Sequence, residues 1–239
     1  IVNLIGCEAG EKVKAFVSVK EFNDTDFIVM ATRNGIIKKT ALSMYSRPRK
    51  GGIYAIEIRD NDELIQAKVS HGCQDIILAT FSGKSIRFNE NDVRGTGRKT
   101  MGVRGIRLGT KDDYVIGMLI VKREGSVMVV TNKGYGKRSD LSEYRTQNRG
   151  GKGVITIKTT EKVGNLIGIM EAIDEDDIML ITDRGIMIRQ PVSNIRTIGR
   201  NTQGVRLAKL DDKTYITSAT RVLKEDEDNE EEEAPEPEE

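Results

Sequence analysis

The sequence predicts an all-β fold, a propeller-like array of four-stranded blades with about four and a half blades present, followed by a disordered acidic tail. Three observations lead there. One motif recurs four times with a period near 50 residues. Each copy reads as short apolar strands separated by glycine turns. No stretch carries a convincing helical period.

Taken in order, residues 1–22, "IVNLIGCEAGEKVKAFVSVKEF", match only the second half of a repeat, so the chain is expected to open in mid-blade. Four full repeats follow, headed by "DFIVMATRNGIIKKT" (26–40), "DIILATFSGKSIRFN" (75–89), "GSVMVVTNKGYGKRS" (125–139) and "DIMLITDRGIMIRQP" (177–191). Each head is an apolar run, a threonine (Thr32, Thr80, Thr131, Thr182), two more residues, a glycine and a second short strand. The turn glycines Gly35, Gly83, Gly134 and Gly185 stand 48, 51 and 51 residues apart. Such a glycine supplies the positive φ that a tight hairpin demands. A second glycine follows 17 to 19 residues later (Gly52, Gly102, Gly153, Gly204), and two further runs complete each repeat, as in "GVRGIRL" (102–108) and "YVIGMLIV" (114–121). Residues 1–223 are read as one repeat domain and 224–239 as the tail.

Composition narrows the function. Trp is absent, and Cys7 and Cys73 stand alone, which favours reduced thiols packed as small hydrophobes over a zinc site or a disulfide framework. No apolar run approaches the length of a membrane span and no leader is visible, so a cytoplasmic protein is expected. The net charge of +1 hides an asymmetry. The tail "KEDEDNEEEEAPEPEE" holds eleven acids and one lysine, which leaves residues 1–223 with 37 basic against 26 acidic side chains, a net +11. A tail of that composition cannot bury enough apolar surface to fold and is expected to be a tethered polyanion or a solubiliser.

The basic residues keep phase with the repeats. Lys39, Arg87, Arg138 and Arg189 each stand four residues after a turn glycine. Arg94, Arg145 and Arg196 recur at 51, as do Arg98, Arg149 and Arg200. The first repeat, with a loop two residues shorter, offers Arg47, Arg49 and Lys50 there. Equivalent positions in stacked repeats fall at one height, so these cations are expected to form a ribbon around the rim. Arginine forks fit phosphate oxygens, and a curved cationic track suits backbone contacts to a bent duplex. Aromatic residues make up only 5% of the chain, which disfavours single-strand recognition by stacking. The loop "QNRGGKG" (147–153) adds Gln147, Arg149, Gly150, Gly151, Lys152 and Gly153, bare backbone beside positive charge.

At this point the chain resembles, across essentially its whole length, the C-terminal domain of the DNA gyrase A subunit. "QNRGGKG" is similar to that family's box, and "SEYRTQNRGGKG", "TNKGYGKR" and the acidic tail agree with it. The resemblance implies a β-pinwheel, a propeller whose blades exchange strands, that binds and wraps double-stranded DNA to support negative supercoiling. It implies two partners within an A2B2 holoenzyme, the remainder of the A subunit plus the B subunit, with ATP and Mg2+ bound elsewhere. It implies no catalytic residue, metal site or cofactor in this part. Asn148 departs from the box, which usually has a second cation there. The box lies in the third repeat rather than the first, so the first blade and part of the second are expected to be missing. The corresponding domain of topoisomerase IV is a close alternative, and a protein-binding propeller scaffold is one from another class. Two smaller expectations complete the reading: His71 is structural or surface, and "DEDD" (174–177) is a solvated link between strands.

Overall fold

A computed structural model describes residues 11–49 and 51–222. Every repeat begins with a hairpin: β1 (Phe27–Thr32) with β2 (Ile36–Ala41) in the first. The inner strand β3 (Leu64–Ser70) pairs with the other edge of β1. The second repeat supplies β4 (Asp75–Thr80), β5 (Lys84–Asn89), β6 (Val103–Arg104) and β7 (Val115–Ile120). The third supplies β8 (Ser126–Thr131), β9 (Tyr135–Asp140), β10 (Val154–Ile155) and β11 (Leu166–Ala172). The fourth supplies β12 (Asp177–Thr182), β13 (Met187–Pro191), β14 (Val205–Arg206) and β15 (Ile216–Val222). A single 3-10 turn follows each hairpin, at Leu42–Tyr45, Glu90–Asp92, Leu141–Glu143 and Val192–Asn194.

The repeating threonine closes the hairpin turn. Thr32 Oγ1 accepts from the Ile36 N–H at 3.2 Å, Thr131 Oγ1 from that of Tyr135 at 3.2 Å, and Thr182 Oγ1 from that of Ile186 at 3.0 Å. The pairing with the inner strand shifts register beside Thr32, Thr80 and Thr182, a bulge that ends the ladder at one height in each blade.

The sheets do not follow repeat boundaries. Their strand orders are β3-β1-β2-β6, β10-β5-β4-β7, β11-β8-β9-β14 and β13-β12-β15. The outermost strand of each four-stranded sheet is a two-residue segment lent by the next repeat: Val103–Arg104 to β2, Val154–Ile155 to β5 and Val205–Arg206 to β9. This is the strand exchange of a pinwheel. Three apolar cores lie between successive sheets. Val29, Ile37, Leu78 and Phe88 belong to the first, Ile77, Val129, Tyr144 and Ile157 to the second, and Val130, Ile178, Leu180 and Ile195 to the third. Burial of side chains of this size is the main favourable term in folding, at roughly 1.5–3 kcal/mol each.

The structure corrects four expectations. Residues 11–22 form no strand, so the initial half-blade is not seen among the described residues; an inner strand pairs with the hairpin of its own repeat, and none stands there. Among the described residues the fourth sheet has three strands rather than four, and no exchanged segment pairs with β13. Cys73 is exposed, not packed. "DEDD" is only partly solvated: Asp176 and Asp177 are buried, at 2.7 Å from Arg123 and from Arg189 respectively. Cys7, Lys50 and the acidic tail lie outside the described residues. No described helix is long and apolar enough to cross a membrane.

Two turn glycines separate backbone strain from crowding. Gly83 has φ +82°, and a Cβ there would meet the Ile157 carbonyl oxygen at 2.5 Å, because the exchanged segment of the third repeat crosses the turn. Gly185 has φ +77° with nothing within 4 Å. Gly185→Ala is expected to cost about 1–2 kcal/mol from left-handed strain alone. Gly83→Ala is expected to cost clearly more and to lower the thermal midpoint further. Equal midpoints for the two variants in thermal denaturation would show that the exchanged strand does not press on the turn.

Candidate nucleic-acid interface

Each blade ends in a rim loop that leans on the blade before it. Backbone N–H groups spaced by 51 residues donate to equivalent carbonyls: Thr96 to Lys39 O (2.9 Å), Gln147 to Arg87 O (2.8 Å) and Ile198 to Arg138 O (2.9 Å). Parallel bridges Lys39–Gly95, Arg87–Thr146 and Arg138–Thr197 repeat the same arrangement. The rim loops therefore sit at one height on successive blades, as repeat stacking requires.

The cations predicted for this rim divide into three classes. The first set is structural, against expectation. Lys39 is 5% exposed, pairs with the fully buried Glu90 at 3.0 Å, and lies 4.3 Å from the centroid of the Phe27 ring. Arg87 pairs with Asp75 at 2.7 Å and donates through Nη1 to the carbonyls of Leu141 (2.9 Å) and Tyr144 (3.2 Å). Arg138, 9% exposed, donates through Nε to Ile195 O at 2.7 Å and pairs with Asp174. Arg189 pairs with Asp177 at 2.7 Å but leaves half its side chain exposed. The recurrence reflects a need of the scaffold: all four are matched by carboxylates, and Arg87 and Arg138 also hold carbonyls at the start of the next rim loop, so they are not the free cations that a ribbon demands.

The second set is exposed. Arg94, Arg145 and Arg196 stand outward from the rim loops, as do Arg47 and Arg49 in the first repeat. Among the described residues none of the five forms an ion pair. The third set is half-buried. Arg149 donates through Nε to Asp92 O (2.7 Å) and through Nη1 to Arg104 O (3.2 Å). Arg200 repeats the second bond one period on, through Nη1 to Ile155 O, and its Nε is enclosed without a partner. Arg98 offers its carbonyl to Lys38 Nζ at 2.9 Å.

The glycines of the 147–153 loop serve geometry first. Gly150 has φ +78° and gives its N–H to Gly105 O at 2.6 Å, so that donor is already engaged. At Gly153, φ +69°, a Cβ would collide with the Ser85 carbonyl oxygen, while Gly151 lies over the Ile86 side chain. Gln147 Nε2 is buried with no partner, so it does not reach outward as the sequence suggested. Lys152 is exposed.

Two groups escaped the sequence reading. Arg107, Lys158 and Lys209 are all exposed and lie 51 residues apart, on the segments that carry the exchanged strands. Backbone bonds seat two of them beside rim loops, Arg107 N–H to Gly151 O (2.8 Å) and Lys158 N–H to Thr202 O (2.9 Å). The same period would have found them. The second group is a pair of fully buried lysines, Lys38 and Lys137, three residues after their turn glycines, where the other repeats have Ile86 and Ile188. Lys38 Nζ donates to Thr40 Oγ1 (2.9 Å), Ala55 O (2.6 Å) and Arg98 O (2.9 Å). Lys137 Nζ donates to Gly199 O (2.7 Å), Arg200 O and Thr202 Oγ1 (3.0 Å). Burial pushes both ammonium groups down to about 8. The loop with the paired glycines sits on isoleucine, and the other two are latched by a lysine.

Lys137→Met should leave the Arg200 carbonyl without a donor, while Gly199 O keeps Thr202 Oγ1 at 2.8 Å, at a cost of roughly 1–3 kcal/mol if the orphaned carbonyl stays buried. Amide exchange at 199–202 is expected to accelerate in this variant, with the 147–153 loop unaffected. The pH dependence follows from the depressed folded value. Between about 8 and the ordinary lysine value the unfolded chain holds more protons, so wild-type stability relative to the variant should rise with pH over that window. Unchanged exchange at 199–202 would remove the latch.

The comparisons with known proteins agree with this geometry. A family model described as DNA gyrase C-terminal domain, beta-propeller, matches residues 26–71, 74–122, 125–171 and 176–222, one segment for each repeat. The chain is 43% identical over 230 residues to the DNA gyrase A subunit of Salmonella typhimurium, covering 96% of this chain and 26% of that protein. It is 42% identical over 222 residues to the corresponding Escherichia coli protein, 93% and 25% respectively. It thus spans about a quarter of the length of these relatives. A structure of a DNA gyrase A C-terminal domain superposes with TM-score 0.83 at 25% identity, over 92% of this chain and 74% of that one. A C-terminal domain of DNA topoisomerase IV gives 0.86 at 24%, over 93% and 69%. With four hairpin repeats each matched in turn and outer strands exchanged between neighbours, the chain belongs to the DNA gyrase C-terminal domain beta-propeller family.

Proposed function

We propose that this chain binds double-stranded DNA along its rim and wraps it, acting as the C-terminal part of a DNA gyrase A subunit that supports ATP-dependent negative supercoiling. The observation that carries the reading is the phase of the exposed cations. Arg94, Arg145 and Arg196 stand on successive rim loops, and Arg107, Lys158 and Lys209 stand on the segments behind them. A duplex following that curve meets a fresh pair of positive side chains at each blade. Contacts of this kind carry no sequence information and release counterions from the phosphates. In this reading strand cleavage, ATP and Mg2+ belong to other parts of an A2B2 enzyme, and no step here passes through them. The sequence relatives at about 40% identity are gyrase A subunits, which favours gyrase over topoisomerase IV.

The experiment is a salt titration of duplex binding. If about 6–10 phosphates are neutralised, affinity should fall by about 10³–10⁵ between roughly 50 and 200 mM salt. Replacing Arg94, Arg145 and Arg196 together by Gln should reduce the slope by about 3. Arg87→Gln should leave the slope unchanged and lower thermal stability, since its partners are Asp75 and two loop carbonyls. A flat titration, or a slope that follows Arg87 and ignores the exposed set, would refute the rim as the binding surface.

A further inference from the structure

The four inner strands β3, β7, β11 and β15 pack side by side around the axis. With residues 16–18 they line a cavity of about 500 Å3 that opens to solvent. Three cations line it, Lys68, Lys122 and Arg221, against one carboxylate, Glu171. That carboxylate is already committed. Its Oε1 accepts from the backbone N–H groups of Lys122 (3.0 Å) and Arg123 (2.8 Å), and its Oε2 accepts from Arg123 Nε at 3.4 Å. Among the described residues none of the three cations forms an ion pair or donates a side-chain hydrogen bond.

The scaffold does not call for this charge. Lys68 pairs with Val29 as Leu119 pairs with Ile77, Met170 with Met128 and Thr220 with Met179. The equivalent position is therefore filled by two apolar residues and a threonine in the other blades. Burial pushes Lys68 down to about 8, and the charges of Lys122 and Arg221 act in the same direction while Glu171 opposes them. Lys68 and Arg221 are half-buried and Lys122 faces solvent, so the like charges repel at the mouth of the cavity, and a bound anion would relieve that repulsion.

We propose that this axial cavity is a binding site for a compact oligophosphate anion, with Lys68, Lys122 and Arg221 as its phosphate ligands. Two ammonium groups and one guanidinium fork supply charge-assisted donors to phosphate oxygens. The volume falls in the range of small-molecule sites. It admits a phosphate chain and excludes a duplex, so the site is separate from the rim and does not depend on how the rim is used.

Tripolyphosphate titrated into the full chain by calorimetry at low ionic strength tests this. One site per chain is expected. Lys68→Gln and Lys122→Gln should each weaken binding at least tenfold, and Lys122 is exposed enough that its replacement should leave the melting curve unchanged. Lys111→Gln, an exposed cation outside the cavity and the rim sets, should have no effect, and saturating duplex should not displace the anion. Absence of a one-site isotherm, equal loss with Lys111→Gln, or displacement by duplex would overturn the proposal.

Discussion

The loan of an outer strand from each of the last three repeats to the one before it sets the geometry of everything else. The paired segment is only two residues long, as at Ile36–Arg104 and Ile37–Val103. Its force comes from what surrounds it. Gly105 N–H and Ile106 N–H converge on Gly35 O, Thr156 and Ile157 on Gly83 O, and Leu207 and Ala208 on Gly134 O. Those bonds fix the second glycine against the preceding hairpin, which fixes where the rim loop ends and therefore where its cations stand. Strand pairing, turn chemistry and surface charge are thus one constraint expressed at three levels. A slip of one residue in the exchanged strand would turn its side chains to the opposite face and break the phase of the rim.

Charge that recurs is not by itself charge that is free. Lys39, Arg87 and Arg138 keep perfect step with the blades and are consumed by Glu90, Asp75 and Asp174. Their recurrence answers a scaffold need: each neutralises a carboxylate, and Arg87 and Arg138 also hold carbonyls at the start of the next rim loop. The exposed set recurs with the same period for another reason, since nothing in the scaffold binds it. Sequence periodicity cannot separate the two, because the carboxylate partners lie 12 to 51 residues away and become neighbours only when sheets form. Exposure and partner chemistry separate them at once.

The hairpins were legible because their signals are local: an apolar run, a threonine, a turn glycine. The strand exchange was not, because Val103–Arg104, Val154–Ile155 and Val205–Arg206 look like ordinary members of their own repeats, and only the family resemblance pointed to it. The rim position of the loops was legible from the period, whereas the division of labour inside them was not. Gly150 and Gly153 suggested exposed amides and turned out to be packed against Arg104 and Ser85. Lys38 and Lys137 were passed over because a lysine in an amphipathic strand reads as outward-facing, although the strand here is covered on both sides by its neighbours. The cations of the axis were invisible for a related reason: they come from three different repeats and share no period.

The claim on which the rest turns is that the exposed cations form one curved track for duplex backbone. Closing nicked circular DNA with ligase in the presence of the chain and measuring the linking number tests it directly. A shift of the mean linking number that grows with bound protein is the expected result. DNA that is bound and yet closes with the distribution of free DNA would contradict it.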